Sequence, residues 1–146
     1  MRHGSINLTI DSHFRDVFLV GLAVQRICSA IPLSDQSTFE IELAVVEAVN
    51  NSIEHACHNQ PGHPITVQLS LSADRITVIV SDSGEAAESL RETPALETVD
   101  PSNPPDRGRG LQIMRAVMDE VAYRTDGPFN LLTMVKYLTV SLGGDV

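Results

Sequence analysis

Residues 40–58 read EIELAVVEAVNNSIEHACH, and this stretch predicts the central helix of the fold. Its apolar residues recur at spacings of four, four and three, which is typical of a helix that buries one side. They are Val45, Val49, Ile53 and Ala56. The opposite side is polar and carries Glu40, Glu47, Asn51, His55 and His58. Such a helix packs against a core on one side and leaves the other side for solvent or a ligand.

Glu47 and Asn51 stand one helical turn apart on the polar side. Pairs of this kind are common on helix surfaces, where they have no further task. A carboxylate beside a carboxamide can also supply a general base and an oxygen ligand for a metal ion. The pair alone allows both interpretations.

Two later stretches contain glycines at positions that can matter for a ligand. Residues 78–84 read VIVSDSG, an apolar run that ends in D-x-G, and residues 107–111 read RGRGL. Gly84 would allow the backbone to turn sharply after a strand. Gly108 and Gly110 would allow an anion to approach the free N–H groups at the start of a helix. Taken singly, the first motif is also a common turn and the second is a weak signal.

The order of these motifs resembles the GHKL ATP-binding fold, which histidine kinases, gyrase-type ATPases and bacterial anti-sigma serine kinases share. Within that superfamily the sequence is similar to the RsbW-type anti-sigma factors. The strings EAVNNSIEHA, DSG and GRGLQIM carry the resemblance, which extends over residues 6–140. It implies one α+β domain over residues 1–146, a two-layer sandwich with a mixed, mostly antiparallel sheet and helices on one face.

The resemblance also implies a site for ATP and Mg²⁺. Glu47 would be the general base, Asn51 would give its side-chain oxygen to Mg²⁺, and Asp82 would accept a hydrogen bond from the adenine amino group. The other expected cofactor-binding residues are His55, Gly84, Arg107, Gly108, Arg109, Gly110, Leu111 and Thr133. Residues 85–107 lack periodicity and are expected to form a lid over the nucleotide, with a surface loop without a task as the alternative.

The function that the resemblance implies is that of an anti-sigma factor. Such a protein holds a sigma factor inactive and phosphorylates a serine on an anti-anti-sigma antagonist of the STAS type. Proteins of this type are commonly dimers, so a homodimer is expected.

Two positions depart from the family pattern. Residues 19–21 are apolar where RsbW-type kinases commonly carry an arginine, and Asn130 and Leu131 stand where a threonine usually begins the last strand. These departures motivate a second hypothesis, a module that sequesters its partner without kinase activity. A third hypothesis, the catalytic domain of a histidine kinase, is weaker because no pair of phosphoacceptor helices precedes the first motif.

The segments before the central helix predict a short strand at residues 6–10 and a helix at residues 13–30, which Asp11 or Ser12 would cap. The expected buried side of this helix comprises Phe14, Val17, Phe18, Leu22 and Ile27. More generally, the phenylalanines and methionines are expected in the core.

The segments after the central helix predict the rest of the sheet. Strands are expected at residues 65–71 and 76–80, and the second should be central because it is apolar at nearly every position. A helix at residues 110–120 and strands at residues 121–125 and 131–140 complete the domain.

The composition excludes some functions. Ten basic and nineteen acidic residues give a net charge of −9, which argues against a direct nucleic-acid surface. No apolar run reaches the length of a bilayer span, and the first residues lack a signal-peptide pattern. A cytoplasmic protein without a membrane partner is therefore expected.

The two cysteines, Cys28 and Cys57, fall in helical and partly apolar patterns. We expect both to be buried free thiols rather than a disulfide. A zinc site built from Cys57 with His55, His58 and His63 is not expected, because residues two apart on a helix face different directions.

Overall fold

In the part of the chain that the structure describes, five strands form one sheet, and helices pack against one of its faces. A computed structural model describes residues 4–85 and 109–138. In chain order, the elements are β1 (Gly4–Asp11), α1 (Phe14–Ser29), α2 (Asp35–Asn51), a π-helical turn (Ser52–Ala56), β2 (Pro64–Leu71), β3 (Arg75–Asp82), α3 (Arg109–Val117), β4 (Glu120–Asp126) and β5 (Phe129–Tyr137). None of the described helices combines the length and the apolar character needed to cross a bilayer.

The strand order is β1-β2-β3-β5-β4, so β3 is central as predicted. Every pairing among these five strands is antiparallel. The sequence analysis expects a mixed, mostly antiparallel sheet, so the structure differs from it in having no parallel pair among these strands. Tight connections between β2 and β3 and between β4 and β5 account for two of these pairings, because a short turn can join only antiparallel strands. The predicted α+β two-layer sandwich is confirmed.

The helix-covered face of the sheet is apolar. In β3 every second residue is buried, namely Ile76, Val78, Val80 and Asp82. Side chains alternate across a strand, so Thr77, Ile79 and Ser81 point to the other face. Asp82 is the exception in this apolar row, and the alternation carries its carboxylate to the side of the sheet where the helices lie.

Helix α1 buries a different side from the one that the sequence predicts. Phe14, Phe18 and Leu22 belong to the predicted buried side, but they are 50%, 59% and 50% exposed. The residues that α1 buries are Val17, Val20, Gly21, Val24 and Cys28. Gly21 gives the reason, because a Cβ atom there would lie only 3.2 Å from Cγ2 of Val46 on α2. The side of α1 that contains this glycine therefore faces α2, and the two helices approach closely.

The prediction that phenylalanines lie in the core is wrong for all four of them. Phe39 and Phe129 are 61% and 51% exposed, like the two phenylalanines of α1. The methionine prediction is confirmed for the three described methionines, Met114, Met118 and Met134, which are buried. The fully buried core is thus built from aliphatic and sulfur-containing side chains, and the four phenylalanines lie on the surface.

His13, rather than the predicted Asp11 or Ser12, caps the start of α1. Its Nδ1 atom accepts a hydrogen bond from the backbone N–H of Arg15 at 3.0 Å. Asp11 and Ser12 instead hold the loop after the π-helical turn, where Oδ1 of Asp11 accepts from the N–H of Gly62 at 2.7 Å and the Ser12 hydroxyl is buried. The predicted cap is wrong because both side chains are engaged by this distant loop.

Helix α3 ends at Val117, before the predicted end at residue 120. The ammonium group of Lys136 on β5 donates a hydrogen bond to the carbonyl oxygen of Val117 at 2.6 Å and pairs with the carboxylate of Glu40 on α2. A cation at this position satisfies a carbonyl group that the helix leaves free. Lys136 therefore joins α2, α3 and β5.

Cys28 and Cys57 are buried free thiols, as predicted. Burial raises the pKa of the Cys28 thiol to about 11. Burial, together with the nearby carboxylate of Asp82, also raises the pKa of Cys57. Both thiols are therefore protonated at neutral pH.

Candidate functional site

The candidate site begins where the central helix ends. Helix α2 stops at Asn51 and continues as the π-helical turn over Ser52–Ala56. The chain then leaves the helical path through His58 and Asn59, whose φ angles of 52° and 61° are left-handed. Single π-helical turns are uncommon and often lie at functional sites. The predicted helix at residues 40–58 therefore ends in an irregular turn directly after its asparagine motif.

The carbonyl oxygen of Ala56, in this turn, binds the D-x-G loop that follows β3. It accepts a hydrogen bond from the backbone N–H of Glu85 at 3.1 Å. Gly84 lies so close that a Cβ atom there would stand 2.2 Å from the same oxygen. The contact is between two backbones, so a side-chain rotation cannot relieve it. Only glycine fits at this position, and the loop is fixed to the end of the helix.

Asp82 is buried at the end of β3 and turns its carboxylate toward the same loop. Its Oδ1 atom accepts hydrogen bonds from the N–H of Gly84 at 3.1 Å and from Nδ2 of Asn130 at 2.7 Å. The same nitrogen of Asn130 donates to the carbonyl oxygen of Gly84 at 3.0 Å. A buried carboxylate requires such donors, and its second oxygen, Oδ2, has no hydrogen-bond partner within residues 4–85 and 109–138, so it can accept a hydrogen bond from a ligand.

Asn130 belongs to this group of side chains, although the predicted site residue on the last strand is Thr133. Asn130 stands directly opposite Asp82 in the pairing of β3 with β5, whereas Thr133 stands opposite Ile79. Residues an odd number of positions apart in a strand face opposite sides, so Thr133 points away from the helices and from this group. Asn130 stands where the family usually has a threonine, and because β5 begins at Phe129, earlier than predicted, this residue lies within the strand.

The second contact of the site joins Asn51 to the start of α3. A Cβ atom on Gly110 would stand 2.8 Å from Nδ2 and 3.0 Å from Oδ1 of Asn51. The carboxamide of Asn51 therefore lies against the backbone of the first turn of α3. Free N–H groups at a helix start attract anions, and an amide oxygen is a ligand that Mg²⁺ accepts.

The remaining predicted residues are distributed around these two contacts. Glu47 lies one turn before Asn51 and is half-buried, as is His55 in the π-helical turn. His58 is exposed and pairs with Glu85, with 2.8 Å between Nε2 and Oε2. Within residues 4–85 and 109–138, no three His, Cys, Asp or Glu side chains are grouped as a metal centre would require.

The second glycine motif is described only in part. Arg107 and Gly108 lie outside the described residues, as does the predicted lid apart from Glu85. Arg109 is the first residue of α3. Leu111 is buried in the hydrophobic core, so its side chain anchors the start of α3 rather than facing a ligand.

Three motifs that are distant in sequence thus meet through two close contacts, Ala56 with Gly84 and Asn51 with Gly110. One side of the π-helical turn offers the acceptor carboxylate of Asp82, which suits the donor edge of a base. The other side offers a carboxamide and a helix start, which suit a phosphate chain with its cation. The arrangement is therefore suited to a nucleoside polyphosphate.

Comparison with known proteins agrees with this geometry. Residues 12–136 match the model of the histidine kinase-like ATPase domain. The serine-protein kinase RsbW of Bacillus velezensis is 27% identical over 137 residues, which cover 91% of this chain and 85% of that protein. The serine/threonine-protein kinase BtrW of Bordetella bronchiseptica is 30% identical over 103 residues, which cover 68% of this chain and 70% of that protein. The anti-sigma F factor of Oceanobacillus iheyensis is 36% identical over 92 residues, 62% of this chain and 61% of that protein.

The family match includes every motif of the site, from α2 to the last strand. An ATPase domain of this kind implies that the protein binds ATP. The predicted resemblance is confirmed by both the family model and the relatives. The chain belongs to the histidine kinase-like ATPase domain family, as one of its RsbW-type members.

Proposed function

We propose that this protein is an anti-sigma factor that binds ATP with Mg²⁺, sequesters a sigma factor and phosphorylates a serine of an anti-anti-sigma antagonist. The observation that carries the proposal is the contact of Asn51 with Gly110, which brings the asparagine motif to the start of α3. The names of the relatives, serine-protein kinase and anti-sigma F factor, support the same activity.

The phosphate end of the proposed site is formed by Asn51 and the start of α3. Gly110 leaves room for the carboxamide beside the helix backbone, and a larger residue would fill this space. The carboxamide oxygen is a hard ligand of the kind that suits Mg²⁺. Bound Mg²⁺ would neutralise negative charge on the phosphates. Arg107 and Arg109, close in sequence to the same helix start, would add positive charge there.

The base end of the proposed site is formed by Asp82. Its carboxylate is held by two donors on Oδ1, and Oδ2, which none of the described residues engages, would accept a hydrogen bond from the 6-amino group of adenine. Gly84 and the π-helical turn form the backbone beside this carboxylate. His55, in the same turn, would lie next to the nucleotide.

In the proposed reaction, Glu47 takes the proton from the serine hydroxyl of the antagonist. The serine oxygen forms a bond to the γ-phosphorus of ATP while the bond from that phosphorus to the bridging oxygen of the β-phosphate breaks. The products are phosphoserine and ADP. Such a transfer depends mainly on positioning and on charge neutralisation, and Glu47 would add the general base.

We propose that the protein acts on its partners as a cytoplasmic homodimer, since sigma factors work in the cytoplasm. The exposed aromatic side chains support a role in binding other proteins: Phe14 and Phe18 lie one turn apart on α1 together with Leu22. Exposed apolar groups of this kind are typical of interaction surfaces. We also propose that residues 85–107 form the lid of this single domain.

Incubation with radiolabelled ATP, Mg²⁺ and the antagonist protein tests the proposal. We expect phosphoserine on the antagonist with the wild-type protein and a loss of at least about 100-fold with Glu47→Gln, which cannot take the proton. The matched control is Glu54→Gln, because Glu54 is exposed in the adjoining π-helical turn and should leave the rate unchanged.

The result that contradicts the kinase proposal is phosphoserine formation at the same rate in Glu47→Gln. If wild-type protein forms no phosphoserine but binds the sigma factor equally well with and without ATP, the protein is the sequestering module of the second hypothesis.

A further inference from the structure

We propose that Asn130 is the positioning residue for the base-binding carboxylate and that it sets the preference of the site for a purine with a 6-amino group. This inference rests on the proposed function, since it takes the ligand of Asp82 to be the base of a nucleotide. Asn130 is buried and lies opposite Asp82 at the start of β5.

The orientation of the Asn130 amide is determined by its partners. Its nitrogen reaches Oδ1 of Asp82 at 2.7 Å and the carbonyl oxygen of Gly84 at 3.0 Å. Both partners are acceptors, and an amide has donors only on its nitrogen, so a flipped amide would place oxygen against oxygen twice. The two hydrogens of this nitrogen are therefore both used, one on the carboxylate and one on the loop.

The residue type matters because an amide nitrogen has two hydrogens and a hydroxyl group has one. A threonine at this position could donate to Asp82 or to Gly84, but not to both at once. Asn130 holds the carboxylate and the D-x-G loop in one fixed relation. The Oδ1 atom of Asp82 also accepts a hydrogen bond from the N–H of Gly84. Together with the bond from Asn130, this second donor restricts the rotation of the carboxylate.

A carboxylate that cannot rotate away discriminates between bases. The 6-amino group of adenine would donate to Oδ2, which has no partner in the described part of the chain, whereas the 6-oxo group of hypoxanthine or guanine would place a carbonyl oxygen against it. A site that leaves a buried polar group unpaired rejects the wrong ligand strongly. If the carboxylate were free to turn, it could avoid the 6-oxo group, and the discrimination would fall.

Calorimetric titrations with ATP and with inosine triphosphate, which differ in the 6-substituent of the base, test this inference. We expect wild-type protein to prefer ATP by about 100-fold or more. In Asn130→Leu, which has a similar volume and no donor, this preference should fall about tenfold or more. Asn130→Thr, which keeps one donor, should give a ratio of ATP to inosine triphosphate affinity between those of wild type and Asn130→Leu. It replaces Asn130→Leu as the test variant if that protein does not fold. Asn7→Thr, at an exposed asparagine of β1, should leave the ratio unchanged.

A purely structural role of Asn130 would weaken the binding of both nucleotides by the same factor. An unchanged ratio of the two affinities in Asn130→Leu, or in Asn130→Thr, therefore overturns the inference while leaving the proposed ATP site in place. Equal affinity of the wild-type protein for both nucleotides overturns adenine recognition by Asp82 itself, and with it this role of Asn130.

Discussion

The carboxamide of Asn51 lies against the α-carbon of Gly110, so that a methyl group on Gly110 would stand 2.8 Å from the amide nitrogen. This contact brings the end of α2 to the start of α3, although the two residues are far apart in the sequence. It also explains why a glycine fits at this point of the second glycine motif: a Cβ atom would come too close to the Asn51 amide in its present orientation.

Gly110→Ala should displace the side chain of Asn51 without unfolding the protein. The group that meets the new methyl is the end of a side chain, which can rotate. We expect ATP affinity in the presence of Mg²⁺ to fall by about tenfold, because the amide oxygen no longer lies beside the helix start. Isothermal titration calorimetry measures the loss. Gly4→Ala is the control, since nothing lies within 4 Å of a Cβ atom at Gly4. An unchanged affinity in Gly110→Ala would show that the contact has no part in binding.

Gly84→Ala should have a larger effect on stability than Gly110→Ala, because its new methyl group meets the backbone oxygen of Ala56 at 2.2 Å. The loop must then move away from the π-helical turn and lose the hydrogen bond of Glu85. We expect the free energy of unfolding to fall by about 1–3 kcal/mol. Urea denaturation of both glycine variants checks the order of the two effects. Equal stability of Gly84→Ala and wild type would contradict the close packing of this loop.

The pairing of Glu40 with Lys136 should make stability depend on pH. The hydrogen bond from Lys136 lowers the pKa of Glu40 below its usual value of 4.5. A lowered folded-state pKa means that the stabilisation is fully present above about pH 4.5 and is lost as the pH falls through the folded-state value. We expect Glu40→Gln to lower the free energy of unfolding by about 1–3 kcal/mol at pH 7 and by less at pH 3.

Urea denaturation of Glu40→Gln and wild type at several pH values between 3 and 7 measures this difference. Glu54→Gln, at an exposed glutamate, is the control and should change stability by less than about 0.5 kcal/mol throughout. A difference between Glu40→Gln and wild type that stays constant down to pH 3 would show that the ion pair contributes nothing.

The parts of the fold that could be predicted are those that local periodicity and turn chemistry determine. The central helix, the strands after it and the central place of β3 follow from apolar spacing alone. The orientation of α1 does not, because it depends on the close approach of Gly21 to Val46 on another helix. Hydrophobic size alone predicts Phe14 and Phe18 as buried, and tertiary packing leaves both on the surface.

The same distinction holds for the candidate site. Asp82 and Gly84 stand in a motif of neighbouring residues, and the structure brings them to the end of the central helix, as the family resemblance implies. The family pattern marks the position of Asn130 at the start of the last strand, but its place opposite Asp82 depends on the register between β3 and β5. A strand start that is misplaced by a few residues selects Thr133 instead, which faces the other side of the sheet. The π-helical turn also has no counterpart in the sequence pattern.

If Asn51, Asp82 and the start of α3 form one site for ATP, its affinity must depend on the Asp82 carboxylate. Calorimetric titration of ATP with Mg²⁺ into wild-type protein and into Asp82→Asn measures this dependence. We expect saturable binding of one ATP per chain in the wild type and a loss of about tenfold or more in affinity for the variant, whose amide nitrogen would meet the adenine amino group donor to donor. The same affinity in both proteins, or no binding in the wild type, would contradict it.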